Sequence, residues 1–229
     1  MNVDAALVED IRRRHDALTA RLRGIAERQG HDPERLHIVG VTKTHPVELV
    51  RAAVAAGITR LGESRVQEAE PKVEAAPAAE WHFIGRLQSN KARRAVRAFE
   101  VIHSVDAIDL LRRVDEIAAN EGRAPRILLQ VNVSGEASRA GMDPSALAAL
   151  EPPMRARLVG LMTIAPMHAG EEAARAVFAT LRGLRDRLQQ RIGQALPELS
   201  MGMSADAEAA AAEGATLVRI GTALFGPRG

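Results

Sequence analysis

The stretch LHIVGVTKTHPVELVRAAVAAGITRLGE, residues 36–63, contains a complete strand–helix–strand unit. It begins with LHIVGV, residues 36–41, a short apolar run with β-branched side chains, which predicts a buried strand. A helix follows Pro46, carries apolar residues at helical spacing and ends at Gly57, before a second strand at 60–63. Short apolar strands joined by a helix indicate a parallel sheet that helices cover.

The same alternation continues along the rest of the chain. Further strands are predicted at 81–84, 101–104, 126–133, 158–163, 199–201 and 217–220, and helices at 65–75, 90–99, 107–120, 144–150, 171–192 and 205–212. An open doubly wound sheet would show the same alternation. Eight strands separated by helices in about 200 residues favour closure into a (β/α)8 TIM barrel.

An extra helix precedes the first strand. Residues from Asp4 to about Gln29 place apolar side chains on one face of a long amphipathic helix. Only nine residues follow the last strand, which is too few for a full closing helix. We therefore expect the N-terminal helix to pack beside the last strand. We see no linker or low-complexity tract, which predicts a single domain over residues 1–229 of this α/β chain.

The composition narrows the possible functions. A formal net charge of +2 over 229 residues gives no general attraction to nucleic acid or to an anionic membrane. The chain has no Cys, and its seven His lack the paired spacing of metal sites, so no metal is expected. The N-terminus does not resemble a signal peptide, and no stretch approaches the ~20 apolar residues of a membrane span. A cytoplasmic protein is therefore expected.

Two predicted strand ends could bind a phosphate group. In such barrels, ligands bind at the C-terminal ends of the strands, and phosphate often binds after strands seven and eight. Gly202 and Gly221 would let the backbone approach an oxyanion, while Ser204 and Thr222 supply hydroxyl groups. Ser204 is also expected to precede a helix directly, where the helix dipole favours an anion. Alternatively, Ser204 is only an N-cap and both glycines serve turns.

Lys43 and Arg219 are the candidate reactive and cationic groups. Lys43 is the only lysine at a predicted strand end, and desolvation there would free its amine for Schiff-base chemistry. A solvated loop lysine is the alternative. Arg219 belongs to the last strand or follows it, and a guanidinium in a barrel mouth needs an anion or an acceptor. That partner could be a ligand, such as the pyridine nitrogen of pyridoxal phosphate, or a carboxylate such as Glu63.

Seven stretches together resemble one family. They are VGVTKTHPVELVRAAVAAG, WHFIGRLQSNK, IHSVD, LLQVNVSGE, GLMTI, LSMGMSADAEAA and VRIGTALFG, in that order. They resemble the pyridoxal phosphate homeostasis proteins, the YggS/PROSC family, from about Leu36 to the C-terminus. Ser64 and Arg86 depart from the pattern, since the family usually has Asn at the first position and often His at the second.

The resemblance implies a fold and a cofactor site. The fold would be the fold type III barrel of the alanine racemase N-terminal type, with pyridoxal 5′-phosphate (PLP) held as a Schiff base on Lys43. The resemblance places the phosphate on Ser204, Gly221 and Thr222, and it places Arg219 beside the ring nitrogen. The implied function is PLP homeostasis, in which a non-catalytic carrier would supply PLP to PLP-dependent apo-enzymes. Because no second domain is present to build an obligate dimer, we expect a monomer.

Two other functions compete with the carrier. A racemase-like PLP enzyme would need a second base, but the chain has no Tyr, and only His82 or His103 could substitute. An arginine at the ring nitrogen would also make the cofactor a poorer electron sink. A nucleic-acid binder could use the basic helix around Lys91 and Arg94, but no exposed aromatic residue is expected among these charges, which favours a solvated basic face.

Overall fold

Eight parallel strands form a closed barrel in the computed structural model, which describes residues 3–136, 140–166 and 170–226. Each strand pairs with the next along the chain, and β1 also pairs with β8. The strands are β1 (His37–Val41), β2 (Arg60–Glu63), β3 (Glu80–Phe83), β4 (Val101–Val105), β5 (Arg126–Gln130), β6 (Arg157–Met162), β7 (Glu198–Met203) and β8 (Leu217–Ile220). The predicted barrel is therefore confirmed.

Helices follow most of the strands. They are α1 (Ala5–Arg28), α2 (Val47–Ala55), α3 (Val66–Ala75), α4 (Ala92–Ala98), α5 (Ile108–Asn120), α6 (Gly170–Ile192), α7 (Ala207–Ala212) and α8 (Thr222–Phe225). The bounds lie within two residues of the predicted ones except at the end of β5, and one predicted helix is of a different type. The segment Pro144–Ala149 is a 3-10 helix. Strand β5 ends at Gln130, because the chain beyond it turns to pair with Met142.

Helix α1 occupies the position of a closing helix. Asp4 caps it by accepting a hydrogen bond from the Ala6 N–H at 2.9 Å. Its buried side chains include Ile11 and Leu22, and the helix packs against α7, α2 and the short α8. The predicted packing of α1 is therefore confirmed. Among the described helices, none is both long enough and apolar enough to cross a membrane.

The apolar core has two parts. The larger part lies between the strands and the helices and includes Trp81, Phe83 and Phe178. A smaller cluster takes side chains from β1, β4, β5, β6 and β8, so it lies inside the barrel; its members are Val39, Val101, Leu128, Val159, Met162 and Leu217. Polar side chains that are also buried, among them His82, His103 and Arg219, come from the same strands or their neighbours.

Candidate functional site

The five predicted site residues lie at the C-terminal ends of three strands that are neighbours in the closed barrel. Lys43 follows β1, Ser204 follows β7, Arg219 lies within β8, and Gly221 and Thr222 follow β8. Strand β8 pairs with β7 on one side and with β1 on the other. The fold therefore brings the predicted lysine, arginine and phosphate-binding residues to one edge of the barrel.

The loop that carries Lys43 packs against the turn that follows β8. A Cβ atom placed on Gly221 would lie 3.5 Å from the carbonyl oxygen of Val41. The rings of His45 and Phe225 meet edge to face, with 5.8 Å between their centroids. Lys43 lies between Val41 and His45 in the sequence, and it is half-buried.

The ends of β7 and β8 also share an open surface. Ser204 and Ala223 line a groove of about 730 Å³ together with Arg21 of α1. Ser204 and Thr222 are both exposed. A ligand with its phosphate on these hydroxyl groups would therefore remain accessible from solvent.

The expected helix after Ser204 begins two residues later than predicted. Helix α7 starts at Ala207, and Asp206 rather than Ser204 is its N-cap. The Asp206 carboxylate accepts a hydrogen bond from the Met203 N–H at 2.6 Å, which closes a turn and delays the helix. Both expectations for Ser204, as an N-cap and as a residue directly before the helix, are wrong. Its exposed hydroxyl group remains a candidate phosphate ligand.

The two glycines of the predicted phosphate site have different roles. Gly202 has a φ of 89°, and a Cβ atom there would lie 2.5 Å from the Cβ of Ala210. Close packing against α7 therefore requires a glycine at position 202. Gly221 has a φ of −110°, and an added Cβ would meet no atom closer than 3.5 Å. Only Gly221 therefore leaves space beside the backbone for a ligand.

The backbone after Lys43 is strained. Thr44 has a φ of 68°, a left-handed conformation that a β-branched residue rarely adopts. The Thr44 N–H donates a hydrogen bond to Glu68, and the Thr44 hydroxyl donates to the Lys43 carbonyl at 2.6 Å. Strained residues of this kind concentrate at ligand sites, where the surrounding contacts hold them.

A buried lysine supports this loop. The Lys72 ammonium, 3% exposed, donates to the Thr42 carbonyl at 2.8 Å, to Glu63 at 2.7 Å and to Glu68 at 3.0 Å. The Thr42 hydroxyl also donates to Glu63, at 2.7 Å. The sequence placed Lys72 on a helix and gave it no role. The only local signal was the spacing of Glu68 and Lys72, which lie four residues apart on one helix face.

The two carboxylates of this cluster have opposite pKa shifts. Burial raises the pKa of Glu63, despite the hydrogen bonds from Lys72 and Thr42. Burial also opposes ionisation of Glu68, but the Thr44 N–H and the Lys72 ammonium outweigh it and lower the pKa of Glu68. The alternative that Glu63 pairs with Arg219 is wrong, because Glu63 pairs with Lys72.

Arg219 is buried and has no acidic partner among the described residues. It is 4% exposed, and it donates to the Ser200 hydroxyl at 2.5 Å and to the Thr163 carbonyl at 3.0 Å. Burial lowers the pKa of Arg219 to about 10, although the charge of Asp206 acts in the opposite direction. A guanidinium has five N–H groups, so donors remain for an acceptor at the end of β8.

The arrangement fits a ligand with three chemical features. The Lys43 amine suits an aldehyde, and the hydroxyl groups of Ser204 and Thr222 with the Gly221 backbone suit a phosphate. The buried cation of Arg219 suits a ring nitrogen that accepts a hydrogen bond. PLP has all three features. Within the described ranges, no group of three or more His, Cys, Asp or Glu side chains could hold a metal ion.

Other residues singled out in the sequence lie outside this arrangement. In the basic helix, Arg94 pairs with Glu70, while Arg93 and Arg97 pair with Glu121. Arg86 is exposed, and Ser64 is half-buried where its carbonyl meets Gly85. His168 lies outside the described residues.

Comparisons with known proteins agree with this description. The family model of the alanine racemase N-terminal domain matches residues 14–229. A pyridoxal phosphate homeostasis protein of Pseudomonas aeruginosa is 46% identical over 218 residues, which cover 92% of this chain and 93% of that protein. The structure of PipY of Synechococcus elongatus with PLP bound has a TM-score of 0.79 and 43% identity, covering 88% of this chain and 99% of that one. Alanine racemase of Clostridium difficile, in complex with cycloserine, has a TM-score of 0.70 and 15% identity, and the match covers 89% of this chain and 58% of the racemase. At this identity the similarity shows the common fold alone.

Proposed function

The chain belongs to the alanine racemase N-terminal domain family and, within it, to the pyridoxal phosphate homeostasis proteins, and on this basis we propose that it binds PLP and supplies it to PLP-dependent apo-enzymes. We propose further that residues 1–229 act as one domain, as a monomer and in the cytoplasm. Catalysis is not part of the proposal.

Each site residue has a role in this proposal. The Lys43 amine forms a Schiff base with the aldehyde of PLP, which is the reactive group that the cofactor supplies. Ser204, Gly221 and Thr222 bind the phosphate through hydroxyl and backbone N–H groups. Arg219 donates a hydrogen bond to the pyridine nitrogen.

The burial of Arg219 without an acidic partner carries the proposal. A buried guanidinium is costly unless an acceptor compensates it, and the described residues supply only a hydroxyl and a carbonyl oxygen. A ring nitrogen at the end of β8 would accept one of the remaining donors. Because arginine does not release its proton at neutral pH, it would keep that nitrogen unprotonated and weaken the ring as an electron sink. This favours a carrier over an enzyme of carbanion chemistry.

The positions of two histidines also disfavour a racemase. His82 and His103 were the only substitutes for the absent tyrosine, and they are 1% and 0% exposed inside the barrel. Both side chains are therefore closed to solvent, whereas Lys43 is half-buried. By contrast, the exposed Ser204 and Thr222 leave the ligand site open to other molecules, as a carrier requires.

Absorption spectra of the purified protein with added PLP test the cofactor site. Wild type should show the visible band of a Schiff base, borohydride should fix the cofactor, and Lys43→Ala should lose both. The chain has three lysines, so mass spectrometry of peptides can assign the reduced adduct to Lys43, Lys72 or Lys91. Lys91→Ala is the matched control and should bind like wild type. A reduced adduct on Lys72 or Lys91, or no band in wild type, would overturn the assignment.

Transfer is tested separately from binding. PLP-loaded protein is mixed with an apo-aminotransferase in the presence of a phosphatase that destroys free PLP. Recovery of aminotransferase activity under these conditions supports delivery, while free PLP at the same concentration should give none. If the loaded protein restores no more activity than free PLP does, the protein binds PLP but does not deliver it by direct contact.

A further inference from the structure

A chain of hydrogen bonds crosses the interior of the barrel. Arg219 donates to the Ser200 hydroxyl at 2.5 Å, and the same hydroxyl lies 2.8 Å from Nδ1 of His103. Nε2 of His103 lies 2.8 Å from Nδ1 of His82, and Nε2 of His82 lies 2.8 Å from the Glu80 carboxylate. Four consecutive contacts therefore connect Arg219 to Glu80.

This chain runs from one end of the barrel to the other. His103 belongs to β4 and Ser200 to β7, which are not neighbouring strands, so their contact spans the interior. The three inner residues, Ser200, His103 and His82, are at most 1% exposed. Glu80 is the first residue of β3, and its side chain is 27% exposed at the N-terminal opening.

The end groups fix the direction of every hydrogen bond. The Glu80 carboxylate only accepts, so Nε2 of His82 donates to it. In a neutral ring the other nitrogen accepts, so Nδ1 of His82 accepts from Nε2 of His103, and Nδ1 of His103 accepts from the Ser200 hydroxyl. The Ser200 oxygen in turn accepts from Arg219. Burial would raise the pKa of Glu80, but His82 and Arg126 outweigh it and lower that pKa to about 2, so the last group stays an acceptor.

The surrounding charges favour neutral rings in the chain. His103 is faced by His82, Arg219 and Arg126, and burial together with these groups holds its pKa well below the ordinary value. His82 is faced by Arg126 and Arg60 as well as by Glu80. Burial and the two arginines lower the pKa of His82, although Glu80 opposes them.

We propose that Ser200, His103 and His82 are positioning residues for the cofactor. They form a hydrogen-bond chain between Arg219 and Glu80 in which every donor points toward Glu80, and this chain fixes the Arg219 guanidinium against the ring nitrogen. The inference rests on the proposed function, since Arg219 must be the residue that meets the ring. Hydrogen bonds aligned in one direction polarise one another. Ser200 is therefore a stronger acceptor for Arg219 than an isolated hydroxyl would be, and it restricts the orientation of the guanidinium.

Two serine variants separate this role from a general loss of packing. Ser200→Ala removes the link next to Arg219. Ser104→Ala is the matched control, because Ser104 is buried beside His103 in the sequence and its hydroxyl group makes no hydrogen bond with the described residues. Ser200→Ala should weaken PLP binding about tenfold, since hydrogen bonds to charged groups are strong, and should shift the absorption maximum of the bound cofactor. Ser104→Ala should leave both within about twofold or unshifted. Equal behaviour of the two variants would overturn the proposal.

Nitrogen NMR of the histidine rings tests the chain without the cofactor. Two-bond ¹H–¹⁵N spectra of the wild-type protein should show His82 and His103, assigned with His82→Gln and His103→Gln, as neutral rings protonated on Nε2. Adding PLP should shift the His103 nitrogens. A proton on Nδ1 in either ring, or a charged ring at pH 7, would refute the direction of the chain. A wild type that gives no PLP band contradicts the proposed function instead, and the ring assignment is still decided.

Discussion

Replacement of Lys72 by methionine tests how the loop that carries Lys43 is held. The Lys72 ammonium contacts Glu63, Glu68 and the Thr42 carbonyl within 3.0 Å, and the Glu63 side chain has no exposed surface. Methionine retains the aliphatic stem but leaves the Glu63 carboxylate buried without a cation. Breaking a buried ion pair costs about 3–5 kcal/mol. Because Glu68 is partly exposed and can be solvated, we expect about 3 kcal/mol at pH 8.

The loss of stability in Lys72→Met should depend on pH, and the raised pKa of Glu63 determines the direction of that dependence. Glu63 already has a raised pKa in the folded protein, and the loss of Lys72 raises it further. A raised carboxyl pKa means that the folded state favours the protonated form, so the stability that protonation provides is lost as pH rises through that pKa. The cost of Lys72→Met should therefore be largest at pH 8 and should shrink as the pH falls toward 5.

Urea denaturation of wild type, Lys72→Met and the double variant Lys72→Met/Glu63→Gln measures these free energies. The double variant removes the uncompensated charge and should recover about half of the loss, as a double-mutant cycle would show. Lys91→Met, on a partly exposed helix lysine, should cost no more than about 0.5 kcal/mol. A loss for Lys72→Met below about 1 kcal/mol at pH 8, with no dependence on pH, would refute the reasoning. The Lys72→Met protein should also bind PLP more weakly, because the Thr42 carbonyl directly precedes Lys43.

Three further outcomes are expected. Ser204→Ala should weaken PLP binding about fivefold, from the loss of one phosphate hydrogen bond, yet leave pyridoxal binding unchanged; equal losses for both ligands in a titration would contradict the phosphate assignment. Gly202→Ala should lower the free energy of unfolding, measured by urea denaturation, by about 2 kcal/mol or more, because of the positive φ and the Ala210 contact. Gly221→Ala should lower it by less than about 0.5 kcal/mol and should act mainly on PLP affinity. The lowered pKa values of His82 and His103 mean that stability is full above the ordinary value of 6.5 and falls below it, by at most about 1 kcal/mol per histidine from pH 6.5 to 5.5. His103→Gln should show a shallower fall, and an unchanged slope would count against neutral rings.

Local signals were enough to predict the strands and most helices. The bounds 60–63 and 217–220 match β2 and β8, and a glycine that ends the preceding helix, Gly57 or Gly214, lies three residues before each strand. Helix α7 was the exception, since an Asp206 side chain that closes a turn on Met203 cannot be distinguished in the sequence from an early helical residue. The 3-10 helix at Pro144–Ala149 was missed for another reason, because short segments carry too little periodicity to indicate a helix type.

The site, too, could be predicted only in part from local sequence signals. Lys43, Ser204, Arg219, Gly221 and Thr222 could be selected from the sequence, because barrel strand ends are predictable and ligands bind there. Their contacts with the rest of the protein were not predictable. Neither the contacts of Lys72 with Glu63 and the Thr42 carbonyl nor the burial of Arg219 without a carboxylate has a local signature.

The sequence by itself determined the eight-strand alternation and the strand ends at which the functional residues lie, since each depends on periodicity within a few residues. The number of strands favoured a barrel, but closure itself is a property of the tertiary structure. Only the tertiary structure decided that His103 of β4 meets Ser200 of β7. These residues are 97 positions apart in the chain, and their contact arises only when the sheet closes and brings opposite strands face to face. Closure of the barrel excludes water from its interior, so the polar side chains inside must satisfy one another, and this requirement produces the hydrogen-bond chain behind Arg219.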